Sequence, residues 1–496
     1  MASAYRFPAL VALAGALVAG GFLGRSSGTT TVATLPPPPA SGAPSVALST
    51  SWYCAGAMAA GADRAPGELV IDNAGPSAVA VAVRLVAPSG AMAQLSTSVA
   101  PGTDQVLPEQ LGPGTSPSSW VGALVTVYGG RASVNQEVST DEGTASQPCA
   151  STAASQWYFP AGATLRNADD EISLLNPYPV NVVVDMSFST DQGLEQPAAF
   201  RGVVVPAQGL TVLDLGNHLR RRTHVAVTVT TRSGAIVAFQ TELVTKPAKG
   251  APRVGVPGAL DPVEPVAGVT LMLGATQASA SLWWPQGGEG FGLTEQYDVY
   301  NPGPSTAQVR LSLVAPGSGA GLGSSTNITV GAYGTDWLTT NGQPWALPGL
   351  GYAVHLQSTN GVPVVAARLL TAESPWPYRG TGALLGSSLA ARQWLVPPNA
   401  QLLAPSESLA VADPGRTPAV VSTDTVDGAA LVPVPGVPQL VVAAGRSSAE
   451  RLPLAPADQA VVLVSTVPVI VERDAYAYLP LRGVDLSPAV VLGAPG

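Results

Sequence analysis

The sequence predicts an all-β protein: four tandem immunoglobulin-like β-sandwich domains after an N-terminal membrane anchor helix. Three observations predict it. A tryptophan opens each of four stretches, at Trp52, Trp157, Trp283 and Trp394, spaced 105, 126 and 111 residues apart. Within the stretches, apolar residues alternate with polar ones, as in Val180, Val182, Val184, Met186 and Phe188, which is the period-2 pattern of a half-buried strand. Glycine (54) and proline (47) are spread over the whole length, and in a valine-rich chain that means many short strands and turns.

The elements follow in chain order. Pro8 to Leu23 is an unbroken apolar run flanked by Arg6 and Arg25. Sixteen residues is short for a span of about 20. With no Ala-x-Ala cleavage site behind it, the run reads as an uncleaved signal anchor over residues 1–25, with a cleaved signal peptide as the alternative. Residues 26–46 are a linker containing Pro36-Pro37-Pro38-Pro39, which favours an extended rod of about 3.1 Å per residue. Sandwiches are expected at 47–150, 151–250, 267–382 and 383–496, with a second linker at 251–266. A unit of about a hundred residues with turn signals every 8–12 fits a seven-strand antiparallel sandwich. Propeller blades are excluded, since they repeat every 40–50 residues.

One turn recurs in every unit: Asn73-Ala74-Gly75, Asn176-Pro177, Asn301-Pro302-Gly303 and Asp413-Pro414-Gly415. Asn or Asp caps the first turn position, Pro presets φ at the second, and Gly tolerates positive φ at the third. A closing strand recurs too, ending in Gln136-Glu137, Gln240-Thr241-Glu242, Arg368 and Glu472-Arg473. The Trp-x-x-Pro openings at Trp157 and Trp394, the Asn-Pro turn, and a closing valine strand ending in Glu-Arg resemble an actinobacterial family of secreted or membrane-anchored proteins of unknown function. The resemblance spans essentially the whole chain. It implies an anchor, a Pro-rich linker, an exported all-β body and association with the cell envelope. It assigns no catalytic residues.

Charge and cysteine set further bounds. Net charge is −9, and only Lys246 and Lys249 supply lysine, so no nucleic-acid partner is expected. Charged residues are 11% of the chain, against about 25% in typical soluble domains, so Ser, Thr, Asn, Gln and Gly must dress the surface. The two cysteines, Cys54 and Cys149, bracket the first unit. In an exported chain such a pair is by default a disulfide, and two unrelated buried thiols are the other reading.

Candidate chemistry is sparse. His218 and His224 flank Arg220-Arg221-Arg222, and neither this spacing nor His355 matches a metal motif, so no metal and no cofactor are expected. The arginine run is a candidate contact for an anionic surface, with a solvated loop as the bland alternative. Asp169-Asp170-Glu171 lacks the alternate-position pattern of calcium loops. Five of nine tryptophans lie in the third unit. The opening tryptophan is expected in the core of every unit, at one structural position. Trp337, Trp345 and Trp376 have no counterparts and are candidate glycan platforms. Glu295 and Asp298, flanking Tyr297, are the carboxylates a glycosidase would need.

Together these readings predict a non-enzymatic, membrane-tethered envelope protein. It would be single-pass through residues 8–23, with its bulk extracytoplasmic (or else secreted), and would act as a stalk, scaffold or interaction module for an envelope protein or polysaccharide. A glycan-binding accessory to envelope polysaccharide assembly is the alternative, and a divergent glycosidase the second alternative.

Overall fold

The computed structural model describes residues 40–43, 47–58, 66–111, 120–245, 266–290, 292–315, 324–341, 343–344, 349–373, 377–397, 406–428, 430–452, 459–477 and 483–492. The expected anchor at 8–23 lies outside them, as do Trp345 and Trp376. The fold is all-β. Among the described residues the one helix is a single 3-10 turn, Ala198–Phe200, so no helix is long and apolar enough to cross a membrane.

The first module sets the pattern. Its opening strand Thr50–Met58 heads a first sheet that continues through Trp120–Tyr128, Val79–Val86 and Met92–Val99. A second sheet runs Asp104–Pro108, Glu68–Asn73, Ala132–Thr140 and Gly143–Pro148. Val79, Val81, Val83 and Leu85 point into the core between the sheets, while Ala80, Ala82 and Arg84 point out, as the period-2 pattern requires. The module holds eight strands rather than the seven expected. The Cys54–Cys149 disulfide joins the opening strand to the segment after the last one, with Cα atoms 4.8 Å apart.

The same arrangement repeats three times with local variation. In the fourth module a single long strand, Val461–Tyr476, runs through both sheets and pairs with Ala391–Val396 at one end and Val484–Pro488 at the other. Each module carries near its end a terminal strand that begins at or just after a glycine: Gly143–Pro148, Gly268–Leu273, Gly380–Leu385, and Val484–Pro488 after Gly483. Strand pairing therefore corrects two expected boundaries. Gly268–Leu273 hydrogen-bonds to Val237–Val244 and belongs to the second module, not the third. Gly380–Leu385 closes the third and reaches past residue 382. A short apolar strand carries no mark of which neighbour it pairs with, so the Pro-containing stretch before Gly268 reads in sequence as the domain boundary.

These four terminal strands meet. Each packs against the terminal strands of the preceding and following modules, and the last returns to the first, so the modules close into a ring around them. Small residues permit the approach. A Cβ on Gly382 would lie 2.7 Å from the Val484 carbonyl oxygen. The outer face of each first sheet meets the next module. Thr241 Oγ1 donates to the Gly56 carbonyl between modules one and two. The Tyr300 hydroxyl lies 2.7 Å from Thr228 Oγ1 between two and three. Trp283 packs on Ala412 and Ile470 between three and four. Leu395, Val462, Val490 and Leu492 share one apolar cluster with Ile71 and Val134, between four and one. Ser41–Gly42 completes the closure by pairing in parallel with Val491 and Leu492. A stalk of modules in series, one of the forms expected from the sequence, is thus replaced by a closed cycle.

The opening tryptophans need a second correction. Bridges Tyr53↔Ala150, Tyr158↔Ala275 and Trp283↔Ser387, with Leu395↔Val490, align the four openings. Trp283 is then equivalent to Tyr53, and Leu282 stands where the other modules have tryptophan. Trp157 and Trp394 donate Nε1–H to the carbonyls of Ile236 and Val469 at matching places, whereas Trp284 donates to Leu384. A Trp-Trp pair hides a one-residue register shift, because either ring satisfies the pattern read from sequence.

Candidate functional site

The ring brings polar side chains together where modules meet, and two such places are chemically dense. The first is the junction of modules two and three. Asp298 and Trp337 are cross-strand partners on Leu293–Tyr300 and the edge strand Thr335–Thr339. The Trp337 indole stacks on the His224 imidazole of the second module, with ring centroids 3.6 Å apart and 14° between planes. His224 Nδ1 lies 3.6 Å from Asp298 Oδ1, and the same oxygen accepts a hydrogen bond from Gln296 Nε2 at 2.8 Å. Glu242 is pushed up to about 7, first by burial and then by the negative Asp298. Trp337 keeps 40% of its surface exposed at this junction. It is both a packing residue and an accessible aromatic.

The second place surrounds the terminal strands. On each closing strand, four residues beyond the partner of the turn Asn or Asp, stands a buried long polar side chain: Gln136, Gln240, Arg368 and Arg473. In the first two modules these amides meet buried acids. Gln136 Nε2 donates to both oxygens of Glu109, and Gln240 Nε2 donates to Asp170. In the last two the amide is replaced by arginine and the contacts cross module boundaries. Arg368 Nη2 donates to Glu472 Oε1 at 2.5 Å and to Asp474 Oδ1 at 3.2 Å, while Glu295 Oε1 lies 3.9 Å from Arg368 Nε. The Tyr352 hydroxyl donates to Glu295 at 2.6 Å and that of Tyr476 to Asp474 at 3.2 Å. Arg473 Nη2 reaches Asp485 at 2.8 Å and the first module's Ser146 Oγ at 3.1 Å. Three carboxylates face one guanidinium around Arg368, and burial pushes Glu295 to about 7 and Glu472 upward. Burying such groups is costly unless they are paired, and here each carboxyl faces the Arg368 guanidinium, with Tyr352 and Tyr476 adding hydrogen bonds.

The other sequence candidates are placed separately. Glu295 turns toward Arg368 and Asp298 toward His224, since positions three apart on a strand face opposite ways. The two carboxylates expected of a glycosidase are not brought together. Of the arginine run, Arg220 and Arg221 are exposed, while Arg222 is half-buried and donates Nε–H to Glu195 at 2.6 Å. His218 is exposed and stacks edge-on to Phe200, away from the His224 site. His355 stacks on Trp283. Among the described residues no group of three or more His, Cys, Asp or Glu is arranged to hold a metal ion.

Comparison with known proteins gives one family match, over part of the chain. Residues 115–252 match the model of a family of unknown function, DUF5719. The match covers the end of the first module and most of the second, and it includes His224, Gln240 and Glu242. No curated protein matches. A crystal structure of a tetra-tandem repeat in the extending region of a large adhesion protein aligns at 11% identity over 85% of this chain and 98% of that one. Its TM-score is 0.10, which carries no structural argument.

The polar ends of the closing strands were visible in the sequence as Gln-Glu, Gln-Thr-Glu, Arg and Glu-Arg. Their burial at module junctions was not, because a polar end on a valine strand ordinarily marks its exit into solvent.

Proposed function

We propose that this chain is a non-enzymatic, membrane-tethered extracytoplasmic protein of the cell envelope. Its four immunoglobulin-like sandwiches form a rigid ring that acts as an interaction scaffold. The observation that supports it is the unbroken cycle of module interfaces, completed by Ser41–Gly42 against Val491 and Leu492. A closed cycle holds its outward loops at set positions, which is what a platform for partners needs. The Cys54–Cys149 disulfide accords with an oxidising compartment. Crosslinking in intact cells, followed by purification through a tag on the full chain, tests the reading. Recovery of a reproducible envelope protein or polysaccharide supports it. A protein found in the cytoplasmic fraction with reduced cysteines, or recovered without any envelope component, overturns it.

A second reading is a glycan-binding accessory role in envelope polysaccharide assembly, centred on the third module. The exposure of Trp337 favours it. Trp337→Ala is then expected to lose retention on cell-wall fractions with little change in melting temperature. Undiminished retention removes that reading and leaves the scaffold one standing.

A further inference from the structure

Three of the four junctions seal the same position. Tyr158 is 9% exposed, Trp283 8% and Leu395 0%, each covered by the following module. At the first junction the equivalent Tyr53 stays only half-buried, and a groove of about 690 Å³ opens beside it. All four strands of the first module's first sheet supply its floor: Ser51 and Tyr53, Thr126, Arg84 and Gln94, with Pro177 of the second module as one wall. Beside Pro177, Tyr178 is 41% exposed. It lies near enough to the Tyr53 hydroxyl to raise its pKa, after burial, which is the larger cause. Arg84 Nη1 donates to the neutral amide of Gln208 across the junction at 3.0 Å, and Arg84 makes no ion pair among the described residues. An unneutralised guanidinium held in place in a groove, on a chain of net charge −9, points to an anion as its counterpart.

We propose that this groove binds an anionic saccharide chain. The Tyr53 and Tyr178 rings take sugar faces, Ser51, Gln94 and Thr126 bond to hydroxyls, and Arg84 takes a carboxylate or phosphate on the chain. The volume lies within the range of ligand sites, about 300–1,000 Å³. A peptide fits the floor poorly, because the central strands already spend their backbone groups on one another and present side chains only. The inference stands on a different junction from Trp337 and does not need the scaffold reading.

Titration calorimetry on the full chain in detergent micelles tests it with three probes: hexagalacturonate, a phosphorylated mannohexaose and neutral maltohexaose. Binding of at least one anionic probe is expected, with affinity lowered tenfold or more by Tyr53→Ala and by Arg84→Ala. The exposed Gln94→Ala, which breaks no inter-module contact, is expected to weaken it several-fold at an unchanged melting temperature. Carboxylate and phosphate sources are told apart by which probe binds. Failure of both anionic probes at millimolar concentration overturns the proposal, as does binding untouched by all three variants. Binding abolished by Trp337→Ala instead also overturns it and moves the saccharide to the other junction.

Discussion

Asp413 stands where the other three modules have asparagine, and the substitution leaves a gap in the hydrogen bonding. In Asn73, Asn176 and Asn301 the side-chain oxygen accepts the N–H two residues on, and Nδ2 donates to carbonyls of the turn and of a neighbouring strand's end. Asp413 Oδ1 repeats the first contact with Gly415, but Oδ2 has no proton to donate to the carbonyls that an asparagine Nδ2 would reach. Burial pushes its pKa up accordingly. Asp413→Asn is therefore expected to stabilise the fourth module by about 1–2 kcal/mol near neutral pH, and less as pH falls, because burial raises the pKa of Asp413. The reverse change, Asn301→Asp, is expected to destabilise by about 1–3 kcal/mol. Urea unfolding of each variant at pH 5 and pH 8 measures both, and equal effects at the two pH values would refute the account. The sequence showed the turn and its capping residue. The donor bonds that tie the cap to the neighbouring strand were not legible, since those acceptors lie 26 to 30 residues further on.

At the scale of elements, one site between opening and terminal strands is filled four ways. The first module places the Cys54–Cys149 disulfide there. The second places Phe159 over Gly274 and the third Trp284 over Gly386, where an added Cβ would come within 2.7 Å of each ring. The fourth uses Val396 and Ala489, both in its core cluster. A cross-link, a large residue on a glycine, or two medium residues thus fill one volume, as close packing demands. Gly386→Ala is expected to cost about 1–3 kcal/mol by overpacking, with Gly386→Ala/Trp284→Leu recovering part of it; a neutral Gly386→Ala measured by thermal unfolding would contradict this. Reducing the disulfide, which spans 95 residues, is expected to cost about 4–5 kcal/mol in the chain-entropy model. The Ser41–Gly42 strand is the other telling element. Its deletion is expected to raise amide exchange in Val490–Leu492 and Ala391–Val396 while leaving the second module protected. Uniform loosening, or none, would show that the strand does not close the ring.

For the whole molecule, buried and half-buried carboxyls dominate the pH response. Glu109 is pushed up to about 8, and Glu242 and Glu295 to about 7; Asp72, Asp170 and Glu472 are also raised, with burial the leading cause in each. A carboxyl raised on folding holds its proton more tightly in the native state. Its contribution is complete below the ordinary Glu value of 4.5 and is lost as pH rises through about 7 to 8. Asp185, held down at about 2 by Arg232, acts oppositely but only in acid. Stability is therefore expected to fall between pH 5 and pH 8, by about 1.4 kcal/mol per pH unit for each additional proton the native state binds. Melting temperatures across that range decide the matter, and a flat or rising profile would be incompatible with charge-burying junctions.

The sequence by itself determined the all-β class, the fourfold repeat, the turn chemistry and the cysteine pair. Each is written in local periodicity or composition, and a strand's alternation or a turn's Asn-Pro-Gly acts over a few residues. Only the tertiary structure decided that Gly268–Leu273 belongs to the second module, that Trp283 is out of register with Trp52, and that the modules form a ring. Those facts rest on pairings between strands far apart in the chain, and on small residues whose value is to let another backbone approach. A single chain read in order does not display what each of its surfaces will meet.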